Sequence, residues 1–353
     1  MNILRRLGIW ALYSLFFTSL FFIAYGVTFN ETIGKRTIVK SWLENSGIYS
    51  NFVDEVVSLS QSQAAEQQNV IDGRILTKAA NEAFPPEFLQ SSLESVLDGG
   101  YDWFREVEPR IEFRLDFTES KTLFADNISQ SAAGTIRSLP SCSPQKAAAI
   151  AGGGFDPFSA TCVPEGLDTA PLISELQQQI LQDDGIFAGP IITDANLTIN
   201  SGDATQRIDD ALPQIPTIFS FTRYIPFVAV ITATIGSIGL IVVSKSKLKA
   251  LFTVFRGVAF ATLSLLFFTV ISSRSTAWID ELLADPNTTG FTQRIVYPFV
   301  DVAVVDITRW LTYFIIGYGI LAAVLLITYL VIRHAVKSKS RVNEHPSPPM
   351  AIE

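Results

Sequence analysis

Four long apolar blocks decide what this chain can fold into. They occupy residues 7–29, 224–243, 251–272 and 310–332, and only Arg256 is charged within any of them. At ~1.5 Å of rise per residue, a helix of this length crosses the ~30 Å hydrocarbon core of a bilayer. In lipid, a single exposed segment satisfies its own backbone N–H and C=O groups only as a helix. The chain therefore reads as an α-helical membrane protein with four transmembrane helices. The first block is also the place where a secretory signal would sit. Signal apolar regions run about 7–15 residues, however, and this one is longer, so it is read as a retained anchor.

The short loops carry an orientation. Arg5 and Arg6 precede the first block, and Lys245, Lys247 and Lys249 join the second to the third. Arg333, Lys337, Lys339 and Arg341 follow the fourth. With four spans, all three basic clusters fall on one face, which the positive-inside rule makes cytoplasmic. The reading that follows is a multi-pass plasma-membrane protein with both termini cytoplasmic. Residues 1–6 form the N-terminus, 30–223 an extracytoplasmic domain and 244–250 a cytoplasmic loop. Residues 273–309 form a second outer loop with amphipathic helices, and 333–353 a disordered cytoplasmic tail.

Charge supports this division and excludes one class of partner. Residues 30–222 carry 27 acidic and 12 basic side chains, whereas the rest of the chain carries 7 and 14. An acidic domain on basic membrane flanks is not built for nucleic acid, whose phosphates need a basic surface. The partner the sequence does imply is the lipid bilayer, with an envelope protein as a further candidate. Small residues recur at four-residue spacing along the spans: Ala229, Ala233 and Ser237, then Gly257 and Ala261, then Gly319 and Ala323. Such stripes let helix backbones approach closely. They are read as packing among the four helices, with a contact between copies as the alternative.

Within 30–223 the expected fold is α+β and mostly helical. Apolar spacing predicts a helix over 37–59, broken at Gly47 and presenting Ile38, Trp42, Ile48, Phe52, Val56 and Leu59. A second helix over 72–84 is stopped by Pro85 and Pro86, which open a third over 87–104. Residues 111–117 (IEFRLDF) alternate apolar and charged side chains, the mark of a half-buried strand. Its partner is expected around 191–199. Helices are expected over 121–139 and 170–182, and an amphipathic approach to the membrane over 204–222. In the second outer loop, Trp278, Ile279, Leu282 and Leu283 form an amphipathic turn set. Residues 291–308 read as a helix running into the last span.

Cys142 and Cys162, the only cysteines, both lie in the domain assigned to an oxidising compartment. They are read as a disulfide, worth on the order of 3 kcal/mol for a loop of this length. Catalytic constellations are excluded more than found. The two histidines, His334 and His345, are on the wrong side of the membrane to serve the domain as a base or zinc ligand. No glycine-rich nucleotide motif occurs, so no cofactor and no metal site is expected. Residues 194–203 space oxygen side chains as calcium loops do, but Ile199 stands where the turn glycine belongs. Four Asn-x-Ser/Thr sequons, at Asn30, Asn127, Asn196 and Asn287, fall on the outer side.

The runs PPEFLQSSLESVLDGGYDWF, RIEFRLDF and LPSC, in this span order, resemble an uncharacterised family of bacterial four-span membrane proteins with a large extracytoplasmic domain. The resemblance implies an envelope location and the cysteine pair, and brings no activity or site residues. The expected function is a non-enzymatic envelope protein whose outer domain binds a partner or ligand. The alternative rests on span order, which also resembles permease subunits of ATPase-driven transporter or division complexes.

Overall fold

The computed structural model describes residues 2–65, 73–147, 155–182, 191–196, 198–201, 204–244, 246–274 and 292–343. It is mostly helical, with a small amount of sheet. Four helices are long and apolar enough to cross a membrane. They belong to α1 (Asn2–Glu31), α10 (Ile225–Val243), α11 (Lys247–Arg274) and α12 (Tyr297–Asn343). The chain divides into two compact units. One holds residues 1–38, 218–282 and 303–353, and the other holds 39–217 and 283–302.

In the first unit α1 is the hub. Its Phe16, Leu20 and Ala24 are buried, Ala24 completely, in a structure where most long apolar side chains of the spans face outward. Close approach is made by glycines. A Cβ on Gly236 would lie 3.1 Å from Phe16 Cβ, and one on Gly257 only 2.9 Å from the Phe16 ring. Lipid supplies no hydrophobic contrast between helices, so tight van der Waals packing of this kind is what holds spans together. Two polar contacts add register. The Tyr318 hydroxyl donates to the Leu20 carbonyl at 2.9 Å, and Arg5 Nε donates to the Val243 carbonyl at 2.9 Å. Arg5 thereby caps the C-terminus of α10, where unpaired carbonyls and the helix dipole favour a cation.

The helices of the spans extend beyond the apolar blocks at several ends, α1 running over Asn2–Glu31 against the block at 7–29. Helix α11 starts at Lys247, not 251, so the connection after Val243 is shorter than the 244–250 loop. Helix α12 begins at Tyr297, within the 291–308 segment read as a helix running into the last span; a π-helical turn Thr292–Val296 precedes it and it runs unbroken through the apolar stretch. It also continues to Asn343, which corrects the disordered tail assigned to 333–353 over its first part. Nothing in 333–343 breaks a helix, because Gly and Pro are absent until Pro346. The set Trp278, Ile279, Leu282 and Leu283 lies outside the described residues, as does Asn287.

In the second unit the helices are α2 (Arg36–Asn45), α3 (Ile48–Ala65), α4 (Gly73–Ala83), α5 (Pro86–Phe104), α6 (Thr118–Ser138) and α7 (Thr169–Gln182). The break between α2 and α3 falls at Gly47, whose φ of +69° is the left-handed conformation that glycine tolerates. Pro86 stands at the first turn of α5, where its missing N–H costs nothing. Helix α6 is central, burying Phe124, Ala125, Ile128, Ala132 and Ile136 along one face. The buried face of α3 is Tyr49, Val53 and Val57, and Val56, expected inside, is 36% exposed.

The expected strand shortens to β1 (Arg114–Asp116), because only these residues find ladder partners. They pair antiparallel with β2 (Ile191–Thr193), Leu115 opposite Ile192. Ile111 and Phe113 are nevertheless buried beside Trp103. The alternating stretch after β2 does not extend that sheet. It forms a separate hairpin, β3 (Thr198–Ser201) with β4 (Ala204–Arg207), followed by the short α8 (Ile208–Ala211) and by α9 (Ile215–Thr222). The amphipathic approach assigned to 204–222 therefore begins as a strand.

Where α5 passes the segment entering β1, Gly99 faces the main chain. A Cβ there would lie 2.2 Å from the Glu112 carbonyl oxygen, whereas one on neighbouring Gly100 meets nothing. Gly99→Ala is expected to destabilise the protein by about 1–3 kcal/mol, as overpacking does. Gly100→Ala is expected to be neutral or to stabilise by up to ~1 kcal/mol through helix propensity. Thermal unfolding of the two variants measures both.

Candidate functional site

Helices α3, α4, α5 and α6 do not close fully on one another. Between them lies an apolar cavity of about 350 Å³. Helix α3 lines it with Phe52, Val53, Val56 and Val57, and α4 with Leu76, Ala80 and the following Phe84. The far wall is Leu89 and Leu93 of α5, with Leu115, Phe117 and Phe124 from β1 and α6. Val53, Val57, Ala80, Phe84, Leu89 and Phe124 are all buried members of one core cluster, so the cavity is an unfilled part of the core. Among the described residues its polar side chains are the hydroxyls of Ser60 and Ser92, and none that lines it is ionisable.

Such a space is unusual for structural reasons alone. Protein interiors pack to crystal-like density, with few voids larger than a water molecule. Small side chains at Ala80, Val53, Val57 and Ser92 line this one together with rings that pack against each other at tilted and edge-on angles. Phe84 lies 6.3 Å from Phe117 and 6.4 Å from Phe124, and Phe88 meets Phe117 edge-on at 5.4 Å. The rings hold the wall; the aliphatic side chains leave the room.

Charge is organised away from this cavity. Glu55 of α3 is 2% exposed and pairs with Arg294 at 2.6 Å. Trp42 and Phe299 meet edge-on at 6.3 Å beside this region of the chain. Lys40 reaches Glu94 at 3.1 Å and Asp98 at 2.8 Å. Burial alone would lower the Lys40 pKa, but the hydrogen bonds to Asp98 and Glu94, with their charge, raise it overall. Burial also pushes the Tyr49 hydroxyl up to about 12, helped by the charges of Glu94 and Glu44.

A second hollow, of about 600 Å³, lies on the polar side of the same unit, between the end of α5 and the segment around α8. Trp103, Glu106, Arg110, Asp209 and Asp210 line it. Glu106 occupies the left-handed position (φ 57°) of the turn that ends α5, with Val107 N–H donating to the Asp102 carbonyl at 2.9 Å. At its edge Arg207 forks between Asp194 at 2.7 Å and Asp209 at 2.9 Å. Asp209 is 7% exposed. The hydrogen bonds from Arg207 hold its carboxyl below the usual range, against the opposing effect of burial. Asp209 is thus committed to Arg207, while Asp210 faces Arg110 at 3.5 Å.

The described residues of the calcium-like stretch at 194–203 have partners of their own. Asp194 faces Arg207, and Asn196 Oδ1 accepts from the Thr193 N–H at 2.9 Å. Among the described residues no group of three His, Cys, Asp or Glu side chains is placed to hold a metal ion.

Cys142 and Cys162 form a disulfide, with Cα atoms 4.9 Å apart. A backbone bridge beside it, Cys142 N–H to the Val163 carbonyl and Val163 N–H to the Pro140 carbonyl, both at 2.9 Å, closes the loop a second time. Ala229 and Ala233 are buried in the span packing, as are Gly257 and Ala261, and Ser237 is half-buried with its hydroxyl returned to Thr234. Gly319 and Ala323 correct the third stripe: Ala323 is exposed and a Cβ on Gly319 meets nothing. Helix α12 instead turns Tyr318, Ala322 and Leu325 to the core of this unit. Four-residue spacing marks a face but not which neighbour, if any, it meets.

No protein-family model, curated protein or solved structure matches this chain.

The Asp209 pair predicts an acid-sensitive unit. Its pKa is lowered on folding, so its contribution is complete above the ordinary carboxyl pKa near 4 and is lost as pH falls through the lower folded value. Asp209→Asn is expected to cost about 3 kcal/mol at neutral pH, because Arg207 loses a buried partner. It is also expected to flatten the loss of stability below pH ~4. Unfolding midpoints of both proteins across pH 2.5–7 test this.

Proposed function

We propose that this is a non-enzymatic, multi-pass protein of the cell envelope whose interposed domain lies outside the cytoplasm and binds an apolar ligand. The observation that carries the reading is the cavity of about 350 Å³ among α3–α6, with its aliphatic and aromatic lining. Ligand sites are typically apolar hollows of about 300–1,000 Å³ with few polar groups. Among the described residues, none that lines this one is titratable, as catalytic acids and bases are. The basic residues flanking the spans support cytoplasmic termini, and the disulfide supports an oxidising location for the domain.

The permease-like alternative is less well supported. A membrane subunit driven by a cytoplasmic ATPase needs a segment for the ATPase to grip. The connection between α10 and α11 runs only from Ser244 to Ser246.

Orientation is tested by adding single cysteines to the full-length protein, since both native cysteines are bonded to each other. A membrane-impermeant maleimide is expected to label Glu108→Cys in intact cells and Lys247→Cys only after lysis. The reverse pattern overturns the topology. Binding is tested by native mass spectrometry of full-length protein released from polymer-bounded native membrane discs. Wild type is expected to retain an adduct of defined mass, and Ala80→Trp, which fills the cavity, is expected to lose it.

A further inference from the structure

We infer that the occupant of the α3–α6 cavity is the hydrocarbon chain of a membrane lipid. The inference rests on the ligand-binding reading above and narrows it to one chemical class.

The lining decides between classes. A charged or strongly polar ligand would enter a site with, among the described residues, no ionisable side chain and only the Ser60 and Ser92 hydroxyls to replace its water. Burying such groups without partners is costly. A peptide segment would bring backbone N–H and C=O groups that need partners. The walls facing the cavity are mainly helices, whose backbone groups are already bonded within each helix. The strand contribution is Leu115, whose main chain is already paired with Ile192 of β2. β1 is an edge strand of a two-stranded sheet, but its three residues offer only a short ladder for strand addition. What remains compatible is a chain of methylenes, which asks for contact and nothing else.

Size agrees. A dry apolar cavity of ~150 Å³ is enough to take up a molecule such as benzene. A cavity of about 350 Å³ holds a longer hydrocarbon. The position of the polar atoms agrees as well. Ser60 is exposed and Val56 is 36% exposed, whereas Val53, Val57, Ala80, Leu89 and Phe124 are buried. The lining thus grades from a rim with one hydroxyl to a wholly aliphatic and aromatic floor. An amphiphile fits that gradient with its chain inward and its headgroup in water. The source is the bilayer, because four spans tie this chain to a membrane, where lipid is the most abundant bearer of such chains.

The test uses the full-length protein in polymer-bounded discs, doped with a phosphatidylcholine carrying a diazirine at the end of one acyl chain. After illumination, digestion and peptide mapping, labels on the membrane spans serve as an internal reference. Wild type is expected to carry additional label on peptides from 48–65 and 73–104. Ala80→Trp is expected to reduce that label about tenfold or more relative to the spans, as for loss of a bound state. Val56→Arg, which charges the rim and leaves the buried core side chains unchanged, is expected to do the same. It also guards against a filled variant that fails to fold, since formation of the Cys142–Cys162 disulfide reports folding of both. Label confined to the spans in wild type overturns the inference, as does domain label that neither variant reduces. If wild type shows no such label but still retains an Ala80-sensitive adduct of another chemistry, the lipid assignment falls and the ligand-binding reading stands. If it shows neither, both fall.

Discussion

The close packing of Phe16 against glycine is the contact on which much of this molecule depends. Gly236 and Gly257, on two different helices, both abut Phe16, and neither leaves space for a side chain without displacement. Because lipid offers apolar helices no reason to prefer each other over acyl chains, only contact of this quality, with a few hydrogen bonds, assembles the spans. Its consequence reaches beyond the spans. Helices α1 and α10 flank the interposed domain in sequence, and their packing brings the domain's two chain ends together. Phe29 meets Phe219 edge-on at 5.8 Å just where the chain leaves and re-enters this unit.

The interposed domain is built on the opposite economy. It concentrates its apolar side chains around α6, which buries Phe124, Ala125, Ile128, Ala132 and Ile136 along one face. It then leaves part of that core unfilled. A sequence selected only for stability would place a larger side chain at Ala80 or Ser92, since filling apolar space is a common route to stabilisation. The retained space is lined, among the described residues, by no charged side chain. Ion pairs such as Lys40 with Asp98 and Arg207 with Asp209 sit on the outside of that core, where they brace elements without entering the cavity.

Much of the element plan was legible beforehand for specific reasons. Pro85 and Pro86 punctuate α4 and α5, Gly47 divides α2 from α3, and the helix expected over 121–139 falls on α6, which starts earlier, at Thr118. The cysteine pairing needed no geometry, because only two cysteines exist. Misreadings came where local pattern has more than one physical outcome. Alternation at 195–199 is equally suited to extending the β1–β2 sheet or to turning back on itself. The hairpin wins because the residues after Ser201 supply a partner at once, at less entropic cost than a distant one. The stripe of Gly319 and Ala323 is as good a motif as Ala229 and Ala233, yet only the latter faces a neighbour.

Sequence alone therefore determined the spans, the distribution of charge, the absence of histidine from the interposed domain and most helix limits. Each of these follows from local composition: hydrocarbon thickness selects the blocks, and proline and glycine restrict the backbone wherever they occur. Only the tertiary structure decided which small residues meet a helix, which carboxylates are held by arginine, and that the core contains a cavity. A cavity is a property of side chains distant in sequence failing to fill the space between them. No window of the sequence records it, because Val53, Ala80, Leu89 and Phe124 each look like ordinary core residues until they are seen on four sides of the same hollow.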